Sequence, residues 1–318
     1  MKKVNLYWPV YKNLEKEILE LTYHIHFCDT QINLYSVKIA ELLVRCAVEI
    51  ESISKTLYQN EGGDMNPVDS AGKDRYLNYD SDCLKMLDKL WLLSKKKIIL
   101  SSPSMYFEKE ENLVFSPLRN AHKGETNWQK AYQAVKHNRV ENLCRANIMV
   151  LVRIMAALYL LNIYYKDEAI IELGRYMAKD RFDNRLGSDL FSVKYSKALS
   201  FNKDKDISWK LIPCSKDESI YIIKFTDRSY KELHKAHYSD YDTYQEIAVS
   251  QQVVDYLKNN PDKSFNNINA VLMEIGGIDL VIQKTPHEFG NALHDASTQA
   301  ILNKNQEIYP YVTRENIK

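Results

Sequence analysis

The residues with most chemistry to offer lie in Trp128-Gln-Lys-Ala-Tyr-Gln-Ala-Val-Lys-His-Asn-Arg139. His137 stands between Lys136 and Arg139, and Trp128 and Tyr132 precede it at helical spacing. Imidazole exchanges protons near neutral pH, and a guanidinium presents a planar fork to phosphate oxygens. From Pro117 to Arg153 the bases are Arg119, Lys123, Lys130, Lys136, Arg139, Arg145 and Arg153, and the acids are Glu125 and Glu141. That stretch carries +5 in a chain whose total is +1, and it also holds His122. A cation cluster with an imidazole and aromatic neighbours suits RNA, a nucleotide or another phosphate-bearing ligand. The candidate catalytic residues are therefore His137 and Arg139, and the candidate binding residues are Lys136, Trp128, Tyr132 and Arg145. The competing reading is a solvated basic helix face with Trp128 and Tyr132 turned into the core.

Other constellations are sparser. His234-Lys-Ala-His237, followed by Asp240 and Asp242, puts two imidazoles one helical turn apart near carboxylates. Such a set could hold zinc or manganese and support a metal-dependent hydrolase. In His24-Ile-His26-Phe-Cys28-Asp29, His24 and Cys28 share a helix face while His26 points away. His287 and His294 do not form HExxH, and the chain has no P-loop, no GxGxxG and no GxSxG. The main reading calls for no metal and no cofactor.

These residues need a scaffold, and composition describes it. The chain has 318 residues, 45% of them apolar and 27% charged, the balance of a globular protein with a substantial core. Lys and Arg (43) nearly equal Asp and Glu (42), which excludes a wholesale polybasic nucleic-acid binder but not a local basic site. Only 9 Gly and 8 Pro point to a helix-rich fold, because sandwiches and doubly wound folds need frequent breakers.

Residues 10 to 61 lack Gly and Pro and read as two helices. One carries the stripe Leu14, Ile18, Leu21, Ile25, Cys28, and the other Ile39, Leu43, Cys46, Ile50, Ile53, Leu57. Asp29 or Thr30 is the expected cap of the second. A long polar loop, 59 to 82, precedes a third helix expected over Cys83 to Lys97. The segments IILSS and NLVFSP, between Ile98 and Pro117, suggest a short hairpin or an irregular connection. A helix then ends near His137 or continues with a kink, a long apolar one runs through Tyr165, and a shorter one is expected from Asp167 to Lys179.

After Arg181 the texture changes. Ile220 to Phe225 reads as a strand and Trp209 to Pro213 as a weaker one. Thr243-Tyr-Gln-Glu246 and Thr285-Pro-His-Glu288 read as capping boxes, opening helices to about Lys258 and about Asn303. Gly276-Gly277 reads as a turn between helices. The expected boundary lies at 181 to 190, giving a helical domain over 1–180 and a small α+β domain over 190–318.

The amino terminus has no uninterrupted apolar core of a signal peptide, and the five cysteines form no CxxC pair. Ile148 to Tyr165 is at the short limit for spanning a bilayer, and Arg153 near its middle would be costly in lipid. A buried central helix, no membrane association and a cytoplasmic location are the expectations.

The pattern W-x3-Y-x2-V-K-H-x-R from Trp128 to Arg139, with its following apolar helix, resembles the VKH-type motif of bacterial HEPN-like helical proteins. Ser36 followed by Glu49-Ile-Glu51-x3-Lys55 is similar to their early helix. The resemblance covers roughly residues 7 to 165 and nothing after residue 190. It implies a mostly α chain, a HEPN-like helical bundle with a smaller α+β carboxy-terminal domain. It also implies a homodimer, and a role in toxin–antitoxin or phage-defence systems that often includes metal-independent RNA cleavage. In such ribonucleases four to six residues intervene between an Arg and a following His; the His handles a proton and the Arg offsets phosphorane charge. Here the order is reversed, His137 then Arg139, and the pair that fits the spacing is Arg228 with His234. The departure favours a bundle that binds RNA, a nucleotide or a partner protein over an endoribonuclease using His137 and Arg139.

Overall fold

A computed structural model describes residues 5–178, 182–199, 201–203, 209–211 and 215–309. It is mostly helical, with its strands concentrated toward the carboxy-terminal side. The chain divides into two units. Met1–Ile171, Phe182–Ile223 and Ala300–Gln306 form the first, and Glu172–Arg181, Lys224–Gln299 and Glu307–Lys318 the second.

The first unit opens with α1 (Tyr7–His24) and α2 (Val37–Asn60). Leu14 and Ile18 of α1 are buried, as is the whole α2 stripe from Ile39 to Leu57. Leu21 and Ile25 are only half-buried, because α1 stops at His24 and its apolar face runs out there. Ser36, not Asp29 or Thr30, caps α2, its hydroxyl accepting the Ile39 N–H at 3.1 Å. Residues 29 to 31 form a 3-10 turn, and Asp29 instead accepts the N–H groups of Glu108 and Lys109 and the Asn112 amide. Those donors hold its carboxyl below the usual range.

A π-helical turn, Tyr79–Leu84, leads into α3 (Lys85–Trp91). That helix ends six residues before Lys97 because Leu92 adopts a left-handed conformation (φ 56°). The expected hairpin is present: β1 (Ile98–Leu100), then α4 (Glu110–Leu113) in the connection, then β2 (Val114–Phe115), with Ile98 opposite Phe115.

Next come α5 (Asn127–His137), α6 (Arg139–Asn142) and α7 (Ile148–Lys166). Of the described helices, α7 alone is long and apolar enough to cross a membrane, but it is the core helix, buried almost continuously from Val150 to Tyr164. Cys46 of α2 lies 3.9 Å from the Met155 sulfur of α7. Each Leu or Ile so enclosed contributes about 1.5–3 kcal/mol. Asp167 in the left-handed region (φ 50°) ends α7.

The helix expected from Asp167 to Lys179 is instead a strand, β3 (Ile170–Arg175). Its β-branched pair Ile170-Ile171 and Gly174 at φ 85° suit an extended edge better than a helix. Then follow β4 (Phe191–Val193), β5 (Tyr195–Ala198), β6 (Phe201–Lys203), β7 (Trp209–Leu211) and β8 (Tyr221–Phe225). β1 is flanked by β2 and β4, and β6 pairs with β7, where Trp209 opens the weaker strand expected from Trp209 to Pro213; Pro213 lies outside the described residues.

The second unit contains α8 (Asp227–Ala248), α9 (Gln251–Asn259), α10 (Ile268–Lys284) and α11 (Glu288–Asp295). Thr243 is not a cap but lies inside α8, donating to the Ser239 carbonyl; Thr226 caps that helix. Gly277, at φ 74° and ψ −163°, breaks α10 where the glycine pair predicts a turn. The helix expected to reach Asn303 stops at Asp295, and Ser297–Leu302 forms β9, buried from Thr298 onward. The capping box at Thr285 fails for a concrete reason: its hydroxyl donates back to Val281 at 2.6 Å. The order β3-β9-β8-β5 completes the sheets.

Candidate functional site

The basic segment is built on α5. Thr126 caps it, accepting the Gln129 N–H at 3.1 Å, while the Gln129 side chain accepts the Thr126 N–H at 3.2 Å. This capping box was legible as Thr-x-x-Gln but does not stand out beside the charges. Gln129 also donates to the Ala121 carbonyl at 2.9 Å, which ties α5 to the turn before it.

Trp128 is 1% exposed, and its indole N–H donates to the Pro117 carbonyl at 3.0 Å. Tyr132 is buried as well. Their burial corrects the expectation that both contact a ligand: they anchor α5 from behind and offer no open face for stacking. Lys136 folds back over Tyr132, 5.6 Å from the ring centre.

The outer face of α5 carries Lys130, Gln133, Lys136 and His137, all exposed. Asn138 ends α5 and caps α6, its side chain accepting the Glu141 N–H at 3.3 Å. His137 and Arg139 therefore flank a helix junction, and both side chains are exposed. Neither makes a hydrogen bond or ion pair to another described residue. His137 thus lacks the second group that would orient an imidazole for proton transfer. His122, by contrast, sits 3.5 Å from Asp88.

Of the seven bases, Arg153 is withdrawn into the fold, donating to the Glu111 carbonyl at 3.0 Å and lying 4.7 Å from the Phe115 ring centre. Arg119, Lys123, Lys130, Lys136, Arg139 and Arg145 are exposed, and none pairs with an acid among the described residues. Elsewhere in this unit, Lys38 and Arg45 converge on Glu17 at 2.6 Å, and Lys55 meets Glu51 at 2.7 Å.

One aromatic residue escapes sequence reasoning. Ile148 donates to the Leu34 carbonyl at 3.0 Å, and Tyr35 bridges to Asn147, so the start of α2 lies beside the turn that carries Arg145. Tyr35 is 50% exposed there. No local pattern marks it, because its neighbour in space is distant in sequence.

In the second unit, His234 is buried, and burial together with nearby His237 pushes its imidazole down to about 4. Asp240 accepts the Glu288 and Phe289 N–H groups, both at 3.1 Å, and so caps α11. Among the described residues no three His, Cys, Asp or Glu side chains converge as metal ligands. At the other cluster, His26 stacks on Tyr106 at 4.6 Å while Cys28 meets Thr30 at 3.1 Å.

Compared with known proteins, the chain matches no family model, no curated protein and no solved structure. The functional reading therefore rests on the geometry.

Proposed function

We propose that this is a HEPN-like cytoplasmic protein that binds RNA through the surface formed by α5, α6 and the turn before α7. The observation that carries the reading is the set of six exposed bases from Arg119 to Arg145, none ion-paired among the described residues, around a helix fixed by buried Trp128 and Gln129. Unpaired cations attract phosphates and release counterions when these bind. Tyr35 supplies an exposed ring for base stacking, which Trp128 and Tyr132 do not. Fluorescence anisotropy with a labelled RNA oligonucleotide tests the reading; no binding at low salt by the wild-type chain would end it.

A second reading, a metal-independent endoribonuclease using His137 and Arg139, draws on the exposure of both residues across Asn138. Its test is RNA cleavage in EDTA. Loss of a general acid or base costs at least about a hundredfold in rate, so His137→Ala should abolish most cleavage while the fold survives.

We also propose a two-fold dimer. Val37, Val44 and Val48 lie on the outer face of α2, and Val37 and Val48 are exposed. Antiparallel contact of two α2 helices crossing between residues 42 and 43 would set Val37 of one copy against Val48 of the other, and bring Glu41 close to Arg45. Such a patch is self-complementary, as an isologous interface requires. The biological setting we propose is a toxin–antitoxin or phage-defence system.

A further inference from the structure

A second site lies in the first unit, well away in sequence from the basic segment. The start of α1, the end of α2, the end of α7 and Lys304 enclose a cleft of about 500 Å³. That volume falls within the range of small-molecule sites.

Its walls are held rigidly. Asn5 accepts the N–H groups of Tyr7 and Trp8, both at 3.1 Å, fixing the first turn of α1. Tyr164 is buried, bonded through its hydroxyl to the Asn303 carbonyl at 2.7 Å and stacked on Trp91 at 4.9 Å. Tyr165 stands edge-on to Tyr7 at 4.8 Å, and buried Leu57 closes the floor.

The charges in the cleft form two poles. Lys304 reaches Asp167 at 3.1 Å and Glu61 at 3.7 Å, so one ammonium serves two carboxylates and this pole keeps one negative charge in excess. The carbonyl ends of α2 and α7 lie on the same side, since Glu61 and Asp167 cap those helices, and they add to the negative potential. The other pole is Lys166. Its ammonium sits 3.7 Å over the Trp8 ring and makes no salt bridge among the described residues, although Glu168 nearby favours its charge and Lys12 opposes it. Partial burial disfavours its charged form, and an incoming anion would relieve that cost.

We propose that this cleft binds a small zwitterion of amino-acid chemistry, with its carboxylate on Lys166, its ammonium on Asp167 and Glu61, and its body beside the half-buried ring of Tyr165. A ligand of one sign would engage one pole and leave the other to solvent and its present neighbours. A zwitterion satisfies both.

The test is isothermal titration calorimetry of the full chain against each proteinogenic amino acid in turn, at up to about 10 mM, the scale at which weak small-ligand binding is measurable. The expected result is saturable binding of at least one apolar amino acid. Its methyl ester, which lacks the carboxylate, and its N-acetyl form, which lacks the ammonium, should each bind about tenfold or more weakly. Lys166→Gln and Asp167→Asn should produce the same loss with unchanged circular dichroism. If either variant fails to fold, the two derivatives on the wild-type chain decide the matter. Absence of binding by every amino acid, or equal binding of the blocked derivatives, overturns the proposal.

Discussion

The carboxylate of Glu15, fully buried in α1, accepts the backbone N–H of Leu190 at 3.1 Å across 175 residues of chain. The same oxygen takes the Tyr11 hydroxyl at 2.8 Å, the Ser188 hydroxyl at 2.6 Å and the Asp189 N–H at 2.9 Å, and Lys12 pairs with its other oxygen. One side chain thus pins the segment leading into β4 against α1. Burial and the adjacent Glu15 charge raise the Tyr11 hydroxyl well above its ordinary value, so it serves as a donor throughout the neutral range.

Removing that carboxylate leaves several buried donors without a partner. Glu15→Ala should lower stability by about 3 kcal/mol or more, read as a reduced urea midpoint with an unchanged slope. A midpoint equal to wild type would show that water or a neighbouring group takes over the donors.

Lys96 provides a pH dependence with a definite sign. It is buried between the turn after α3 and β1, and its ammonium has no hydrogen-bond partner among the described residues. Burial drives its pKa down from 10.5 to about 8; Asp217 opposes this, while Lys216 and Lys95 reinforce it. Between about 8 and 10.5 the unfolded chain binds the proton that the folded chain has released. Stability should therefore rise with pH through that window, and the full penalty, about 3 kcal/mol, applies below it. Lys96→Met should stabilise the protein at pH 7 and flatten this rise; a variant no more stable than wild type would contradict the assignment.

For RNA binding, Lys136→Ala with Arg139→Ala should weaken affinity and lower the salt slope by about 1.4, from two lost phosphate contacts on a single strand. Tyr35→Ala should weaken binding by about 1–3 kcal/mol with the slope preserved, since stacking releases no counterion. Equal slopes in all three proteins would assign the basic segment to a solvated face.

Trp128→Ala should cost about 3–5 kcal/mol of stability, because it empties a filled position behind α5 and orphans the Pro117 carbonyl. Thermal unfolding checks this; unaltered melting would refute the anchoring role.

Light scattering at tens of micromolar should report a dimer for the wild-type chain. Val37→Lys with Val48→Lys should convert it to a monomer, because each antiparallel Val37–Val48 contact then opposes two ammonium groups. A monomeric wild type removes the dimer proposal.

Local pattern was enough for the long helices. The four-and-three spacing of Ile39, Leu43, Cys46, Ile50, Ile53 and Leu57 reproduces the buried face of α2, and the unbroken apolar run after Ile148 marks the core helix. The end of α5 near His137, the strand at Tyr221–Phe225 and the break at Gly276-Gly277 were likewise written locally. Each depends on side chains a few residues apart, which is the range over which helix and strand periods act.

What only the tertiary structure decided depends on distant partners. Ser297–Leu302 carries helix-compatible text, yet becomes a strand because neighbouring strands satisfy its backbone groups, and the β-branched start of Ile170–Arg175 needs the same partners to form its strand. The α2 cap moved to Ser36 because Asp29 is occupied by Glu108, Lys109 and Asn112. The charges of the basic segment were visible from the start, but which aromatic faces solvent was not. Trp128 and Tyr132 turn inward where α5 meets a core to fill, and Tyr35 reaches the surface because the Leu34 carbonyl takes the first N–H of α7. Burial and long-range hydrogen bonds are properties of the folded chain, and no spacing within a single segment encodes them.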